Sequence, residues 1–271
     1  PYFKQIDKVK TVEELQDQIA SMHNSGLPAV FNFGAGTDLK NSSMVIINAG
    51  QGGISLPNRD YYTNSDAKSI ETRQKFMEYM TNMFKNLGDN PETAAANAKI
   101  VMDIQMRLAK ASLGSVELRN PDNRYNKVSL AAAQEIAPNL SWTKYMNARG
   151  ITPVADFNIG QPAFFKEVSA MMKDVSLENW KTYLRFMTVN SAAPSLSKKF
   201  SDENFEFFGK YLSGAKERQP RWKTCVQTTD GTVGEALGQE YVKRVFKPEA
   251  KARMNELIDN LMIAMKGRIN G

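Results

Sequence analysis

Arg221-Trp222-Lys223-Thr224-Cys225-Val226-Gln227-Thr228-Thr229-Asp230-Gly231-Thr232-Val233-Gly234-Glu235-Ala236-Leu237-Gly238-Gln239-Glu240-Tyr241-Val242-Lys243-Arg244-Val245-Phe246 is the stretch on which the reading turns. Its pattern predicts two helices that meet at a tight Asp230-Gly231 break. In the second helix Val233, Leu237 and Tyr241 fall on one face, at the spacing of a buried stripe. Gly234 and Gly238 sit four apart in the same helix. A glycine in a helix interior costs about 1 kcal/mol relative to alanine, so the pair predicts another backbone approaching closely on that face. By spacing alone, an ordinary packed helix pair reads equally well.

Composition narrows the classes. A chain of 271 residues is long enough to bury a sizeable core. Its 42% hydrophobic and 24% charged residues are those of a globular protein. No apolar run approaches the roughly 20 residues of a membrane span. Pro1-Tyr2-Phe3-Lys4 lacks the basic-then-apolar layout of a signal peptide, and the missing initial Met reads as a processed or excised piece. The net charge of +6 is spread out. Short pairs such as Lys198-Lys199 and Lys243-Arg244 sit beside acids or apolar residues, which favours a solvated surface over a nucleic-acid footprint. Cys225 is the single cysteine, so it is either a buried thiol or one bonded to another piece of polypeptide.

Upstream, the punctuation of the chain predicts mostly helices. Thr11 with Glu14 is a capping box, followed by Val12, Leu15 and Ile19 and closed by Gly26 and Pro28. His23, the only histidine, has no metal-ligand neighbours in sequence and reads as a surface residue near that helix end. Extended runs at Ala29–Phe33 and Met44–Asn48, separated by turn formers, predict a small β-hairpin near residues 29–48. Gly50-Gln51-Gly52-Gly53 lacks the Gly-Lys-Ser/Thr of a phosphate loop. Ile70, Met77, Met80, Phe84 and Leu87 mark one helical stripe. Gly88, Asn90 and Pro91 punctuate the passage to a second, formed by Ala94, Ala98, Val101, Ile104, Leu108 and Ala111. Ser141, Pro162 and Ser176 open further helices, with a short strand or loop over 153–159, and Pro194 ends the helix carrying Trp180 and Leu184. Phe200, Phe205, Phe208 and Leu212 mark the next helical face. Pro248 begins a last helix bearing Met254, Leu257, Leu261 and Met265. The fourteen methionines read as core filler. The expected fold is a mainly α, multi-helix domain with one small β-hairpin.

The spelled order of residues carries more than their spacing. Arg221-Trp222-x-x-Cys225-Val226, followed by Gly234-Glu235-Ala236-Leu237-Gly238-x-x-Tyr241-Val242-x-x-x-Phe246, resembles the neprilysin-type (M13) zinc metallopeptidases. Asp38-Leu39-Lys40-Asn41-Ser42 and then Leu56-Pro57-Asn58-Arg59-Asp60-Tyr61-Tyr62 are similar to a ribbon and the element after it in that family, in the family's order. Arg119 with Tyr125-Asn126, and Trp180-Lys181-Thr182-Tyr183-Leu184, add to the likeness. One departure stands out. Many members carry a glutamate before the Leu-Ala pair, where this chain has Gln105 before Leu108-Ala109. If that glutamate pairs with a linker arginine, a neutral hydrogen bond must take its place here.

The resemblance implies that residues 1–271 form the helical domain that encloses the cleft of a larger zinc metalloendopeptidase and limits its substrates to peptides, with room for a sub-division near residues 115–150. The family's His-Glu-x-x-His and downstream glutamate are not in this sequence, and a zinc peptidase site needs three protein ligands, a water and a base. No catalytic and no metal residue is therefore assigned here, substrate-binding residues stay unassigned, and this chain alone is expected to be inactive. The zinc would be held by ligands elsewhere in the parent protein. The implied partners are peptide substrates and the catalytic, zinc-bearing half of the same polypeptide, with no nucleic acid and no membrane span in this chain. Family habit favours an extracytoplasmic place, whether secreted, periplasmic or in the cell envelope. Cys225 matches a cysteine that secreted animal members bond to the catalytic half and that a bacterial member can leave reduced. The alternatives are a helical peptide- or nucleic-acid-binding scaffold without enzymatic activity, and a catalytically dead relative kept for interaction. A His-Glu-x-x-His in the sequence beyond Gly271 would separate them from the first reading.

Overall fold

Caps written in the sequence set the helix starts. The computed structural model describes residues 2–270, which divide between Ala215 and Lys216 into two compact units. In the first unit, α1 (Tyr2–Asp7) and α2 (Val12–Asn24) lead into β1 (Phe31–Asp38) and β2 (Asn41–Gln51). Next come α3 (Asp60–Thr63), α4 (Ala67–Leu87), α5 (Pro91–Ala111), β3 (Lys127–Ser129), α6 (Leu130–Ile136) and α7 (Trp142–Ala148). Then β4 (Asp156–Ile159), α8 (Pro162–Asp174), α9 (Leu177–Ala192) and α10 (Lys198–Asn204) follow, the last running into a π-helical segment, Phe205–Leu212. The second unit holds α11 (Arg221–Val245) and α12 (Pro248–Asn270).

The caps expected at Thr11, Asn90, Ser141 and Ser176 are in place, and Asp66 and Ser129 add two that were not expected. Thr11, Asp66, Asn90, Ser129, Ser141 and Ser176 each accept a backbone N–H three residues on, which satisfies one of the free donors of a helix start. Gly88 ends α4 in the left-handed conformation at φ 112°, where a side chain would be strained. The hairpin is also borne out, and it belongs to a four-stranded sheet of order β1-β2-β4-β3. β1 and β2 pair antiparallel from Phe31↔Gln51 to Thr37↔Val45, with a bulge after Thr37. β4 runs parallel to β2 for only two pairs, Asn48↔Asn158 and Ala49↔Ile159. β3 pairs antiparallel with β4.

α5 lies at the centre of the helical body, against α3, α4, α8 and α9. Its predicted stripe holds: Ala94, Ala98, Val101, Ile104 and Leu108 are buried. The stripe on α4 is rotated from expectation. Ile70 is exposed, whereas Phe76, Tyr79 and Met83 are buried beside Met80 and Phe84. Aromatic packing explains the rotation, because the Tyr79 ring stacks on Phe207 at 5.3 Å and meets Phe208 edge-on at 5.4 Å. The helical face expected at Phe205 and Phe208 is present, wound as a π-helix. A Cβ on Gly209 would come within 2.4 Å of the Phe205 ring, so that winding depends on a glycine. A second aromatic centre surrounds Trp142, whose ring meets Phe157 at 5.1 Å and Phe165 at 5.2 Å.

Sheet and helices are joined at one strained crossing. Val30 adopts φ 45°, a left-handed conformation that a β-branched residue takes at a cost of about 1–3 kcal/mol. Its N–H donates to the Tyr183 hydroxyl at 3.1 Å, and that hydroxyl donates to the Gly53 carbonyl at 2.8 Å. Gly53, at φ 74°, has no room for a side chain, since a Cβ would lie 2.4 Å from the Val30 oxygen. One buried phenol on α9 thus ties the entry of β1 to the chain leaving β2.

Tyr183→Phe keeps the ring and leaves a buried N–H and a buried carbonyl unpaired, so thermal or urea unfolding should show a loss of about 1–3 kcal/mol. Gly53→Ala should cost at least as much, because the clash is with backbone and the φ disfavours any side chain, two effects of about 1–3 and 1–2 kcal/mol.

Candidate functional site

Apart from Arg119 and the run 180–184 on α9, the motif residues that carry the family resemblance lie in three places. The first is the turn after β2. Leu56 and Tyr62 are buried, and the Tyr62 hydroxyl accepts the Ser55 and Leu56 amides at 3.1 and 3.0 Å. It donates to Gln105 Oε1 at 2.6 Å. Gln105 also accepts from Ser55 N at 3.1 Å and donates through Nε2 to Ser55 Oγ at 2.8 Å. The neutral hydrogen bond expected at Gln105 is therefore present, but its partners are Tyr62 and Ser55, with no arginine among them. Burial raises the Tyr62 phenol well above its ordinary pKa, which keeps it a donor at any physiological pH. Arg59 turns the other way and donates to the Ser112 carbonyl at 2.8 Å.

The second place is the ribbon tip. Asp38 accepts the Lys40 amide at 2.9 Å and closes the turn. That bond, helped by the Tyr125 hydroxyl, holds its carboxyl below the usual range. Lys40 lies over the Tyr125 ring, 4.9 Å from its centre. The linker tyrosine of the sequence motif thus docks the tip of the hairpin.

The third place is the second unit, where three expectations need correction. α11 is two helices run together, as expected, but the break falls at Val233 (φ −130°, ψ 16°) and not at Asp230-Gly231. Within the second unit no other backbone closes on Gly234 or Gly238. A Cβ on Gly234 would meet the Asp230 carboxylate at 2.9 Å, within the same helix, and Gly238 has open space around it. Leu237 and Tyr241 are exposed, as are Leu257, Leu261 and Met265 of α12. Glycines four apart signalled crowding, yet the nearest atom to a Cβ on Gly234 is the movable end of the exposed Asp230 side chain. Cys225 is exposed, which removes the buried-thiol alternative.

His23 is also not the surface residue its sequence neighbours suggested. Its ring is half-buried, edge-on to Phe31 at 5.3 Å and to Tyr145 at 5.9 Å. Nε2 donates to the Ala29 carbonyl at 2.8 Å, and Nδ1 lies 2.5 Å from the Tyr145 hydroxyl. Both nitrogens are satisfied in the neutral form, so the ring braces the residue just before the strained Val30. Nothing in the local sequence marks this role, because every partner is set by tertiary packing. The same holds for Gln161, which accepts the Gln51 amide at 2.8 Å and pins the end of β2.

Among the described residues no three His, Cys, Asp or Glu side chains are grouped to hold a metal ion, and no helix is long and apolar enough to cross a membrane. The buried polar groups found here are structural braces. A helical body with a pinned ribbon, this order of motifs and a solvent-facing apolar helix pair is the geometry to set against known proteins. The model of peptidase family M13, in its N-terminal form, matches residues 1–271. The chain belongs to peptidase family M13. Neprilysin-3 of Drosophila melanogaster is 30% identical over 257 residues, which are 90% of this chain and 33% of that protein. Endothelin-converting enzyme 1 of Bos taurus is 27% identical over 93% of this chain and 34% of its own length. The zinc metalloprotease Zmp1 of Mycobacterium tuberculosis, in its open state, superposes with a TM-score of 0.88 and 28% identity, over 97% of this chain and 41% of that one. This M13 chain thus spans about a third of the curated relatives it matches.

Desolvation, reinforced by the Arg149 charge, lowers the His23 pKa from its ordinary value near 6.5, and the carbonyl bond at Ala29 opposes it. The unfolded chain therefore binds a proton at His23 more readily than the folded one. Stability should be full at neutral pH and should fall as pH drops below about 6.5, by at most about 1.4 kcal/mol per unit, until the folded-state pKa is passed. Urea titrations from pH 7.5 to 5 on the native chain and on His23→Gln should show this slope only in the native chain. Equal slopes would remove His23 as the cause.

Proposed function

We propose that this chain is the helical domain of a larger zinc-dependent endopeptidase, enclosing the cleft and restricting substrates to peptides, and that zinc ligands and catalytic residues are supplied by another part of the same polypeptide. The observation that carries this reading is the M13 match across residues 1–271 in a chain covering a third of its curated relatives. The relatives' names agree with it: one is an endothelin-converting enzyme, another a zinc metalloprotease.

The second unit supports the same division of labour. Trp222, Leu237, Tyr241, Leu257, Leu261 and Met265 are all exposed on two long helices. Apolar surface of that extent marks an interaction face. Its occupant in this reading is the zinc-bearing half of the polypeptide. Gly238, with open space over it, lets that partner approach closely.

The test is hydrolysis by the full-length polypeptide. A fluorogenic peptide should be cleaved, chelator should abolish cleavage, and added zinc should restore it, whereas residues 1–271 alone should leave the peptide intact. Cleavage by the full-length protein that persists in chelator, or none with zinc supplied, would contradict the reading.

A further inference from the structure

The sheet has a gap in it. β2 is eleven residues long and β4 only four, and the two are bonded at Asn48↔Asn158 and Ala49↔Ile159 alone. The Ala49 carbonyl accepts the Gly160 amide at 2.8 Å, so Ala49 directs its backbone groups toward β4. Alternate residues of a strand point their N–H and C=O to the same side. Ile47 and Val45 therefore aim theirs at the same edge; the Asn48↔Asn158 bridge uses the Ile47 carbonyl, and the Ile47 N–H with both backbone groups of Val45 lie ahead of it. The bulge lies past Val45, so this parity holds up to it. Ser43, one step further, already has its amide taken by Asn41 Oδ1 at 3.2 Å.

Opposite that edge stands a wall formed by Tyr125, Val154 and Ala155, and the space between is a groove of about 610 Å³ that Met44 and Ile46 also line. The edge carries none of the proline or inward charge by which proteins usually blunt an exposed strand. Val45 is 72% exposed and Met44 56%. The charged groups around the groove are already engaged. Lys127 pairs with Asp156 at 3.5 Å, Asp38 holds the turn amide, and Lys40 covers Tyr125. What the groove offers a ligand is therefore the Ile47 N–H, both backbone groups of Val45 and apolar side chain, with Tyr125, Val154 and Ala155 on the lining.

We infer that this groove binds a short extended, uncharged stretch of peptide, which pairs as a strand with Val45 and Ile47 and fills the gap ahead of β4. Strand addition to an open edge is an established mode of peptide recognition, with backbone bonds giving affinity and alternate side chains giving selectivity. The inference rests on the proposed handling of peptides and adds a contact for the substrate on the helical domain itself.

The experiment measures anisotropy of a fluorescein-labelled peptide, Ser-Val-Thr-Val-Gln-Val-Thr-Ser, with the chelated full-length protein. Val45→Pro removes the outward N–H without touching the β1 ladder, and Ala155→Trp fills the groove from the opposite wall. Each should weaken binding about tenfold or more, while Val45→Ala, which keeps the N–H, should change it less than about threefold. Should Val45→Pro fail to fold, Ala155→Trp decides alone. No binding by the unaltered protein, or binding that ignores both changes, overturns the groove. Zinc-dependent hydrolysis by the same preparations separates the two claims. If cleavage persists while the probe ignores the variants, only the groove is wrong; if the probe responds and no cleavage occurs, only the proposed function is.

Discussion

The first unit of this M13 chain depends on a phenol held between two backbones. Tyr183 sits on α9 in the helical body, and its hydroxyl serves both Val30 and Gly53. Without it, the entry of β1 would be a left-handed valine and an unpaired amide in the interior, each costing on the order of 1–3 kcal/mol. His23 braces the same turn from α2, and Gln161 secures the adjoining end of β2, where Phe31 pairs with Gln51, from just ahead of α8. Three helical elements thus converge on the base of one ribbon. The ribbon's tip, docked on Tyr125, and its open edge beside β4 are then displayed from a fixed base, the arrangement a binding surface needs.

Helix positions were legible because their signals are local. A capping side chain, a proline at the first turn and a glycine past the last are all written within a few residues of what they control. The rotation of α4 was not legible, because Ile70 and Met77 make as good an apolar stripe as Phe76 and Met83 until Phe207 stacks on Tyr79. Glycine misled in a related way. Close backbone approach was expected at Gly234 and Gly238 from their spacing and is found at Gly53, whose run Gly50-Gln51-Gly52-Gly53 was weighed only against a phosphate loop. What decides the matter is a φ of 74° and the Val30 oxygen, neither of which a sequence displays.

The family, by contrast, was readable from residue order, since several motifs recur in sequence order and no single one had to carry the identification. The site itself was less so. Tyr62 and Gln105 turn out to be partners in one buried network, so the tyrosine pair of the motif is accounted for by folding. The second unit keeps its apolar residues at the surface, and only the proposed function supplies that exposed stripe with an occupant.

The claim that the Tyr183 crossing holds the ribbon to the helical body is tested most directly by native-state hydrogen exchange at the Val30 amide. If the crossing is as described, that amide exchanges only through global unfolding, with the same free energy as the core amides of α5. Exchange through a local opening, at a free energy well below that of α5 and unchanged by Tyr183→Phe, would contradict it.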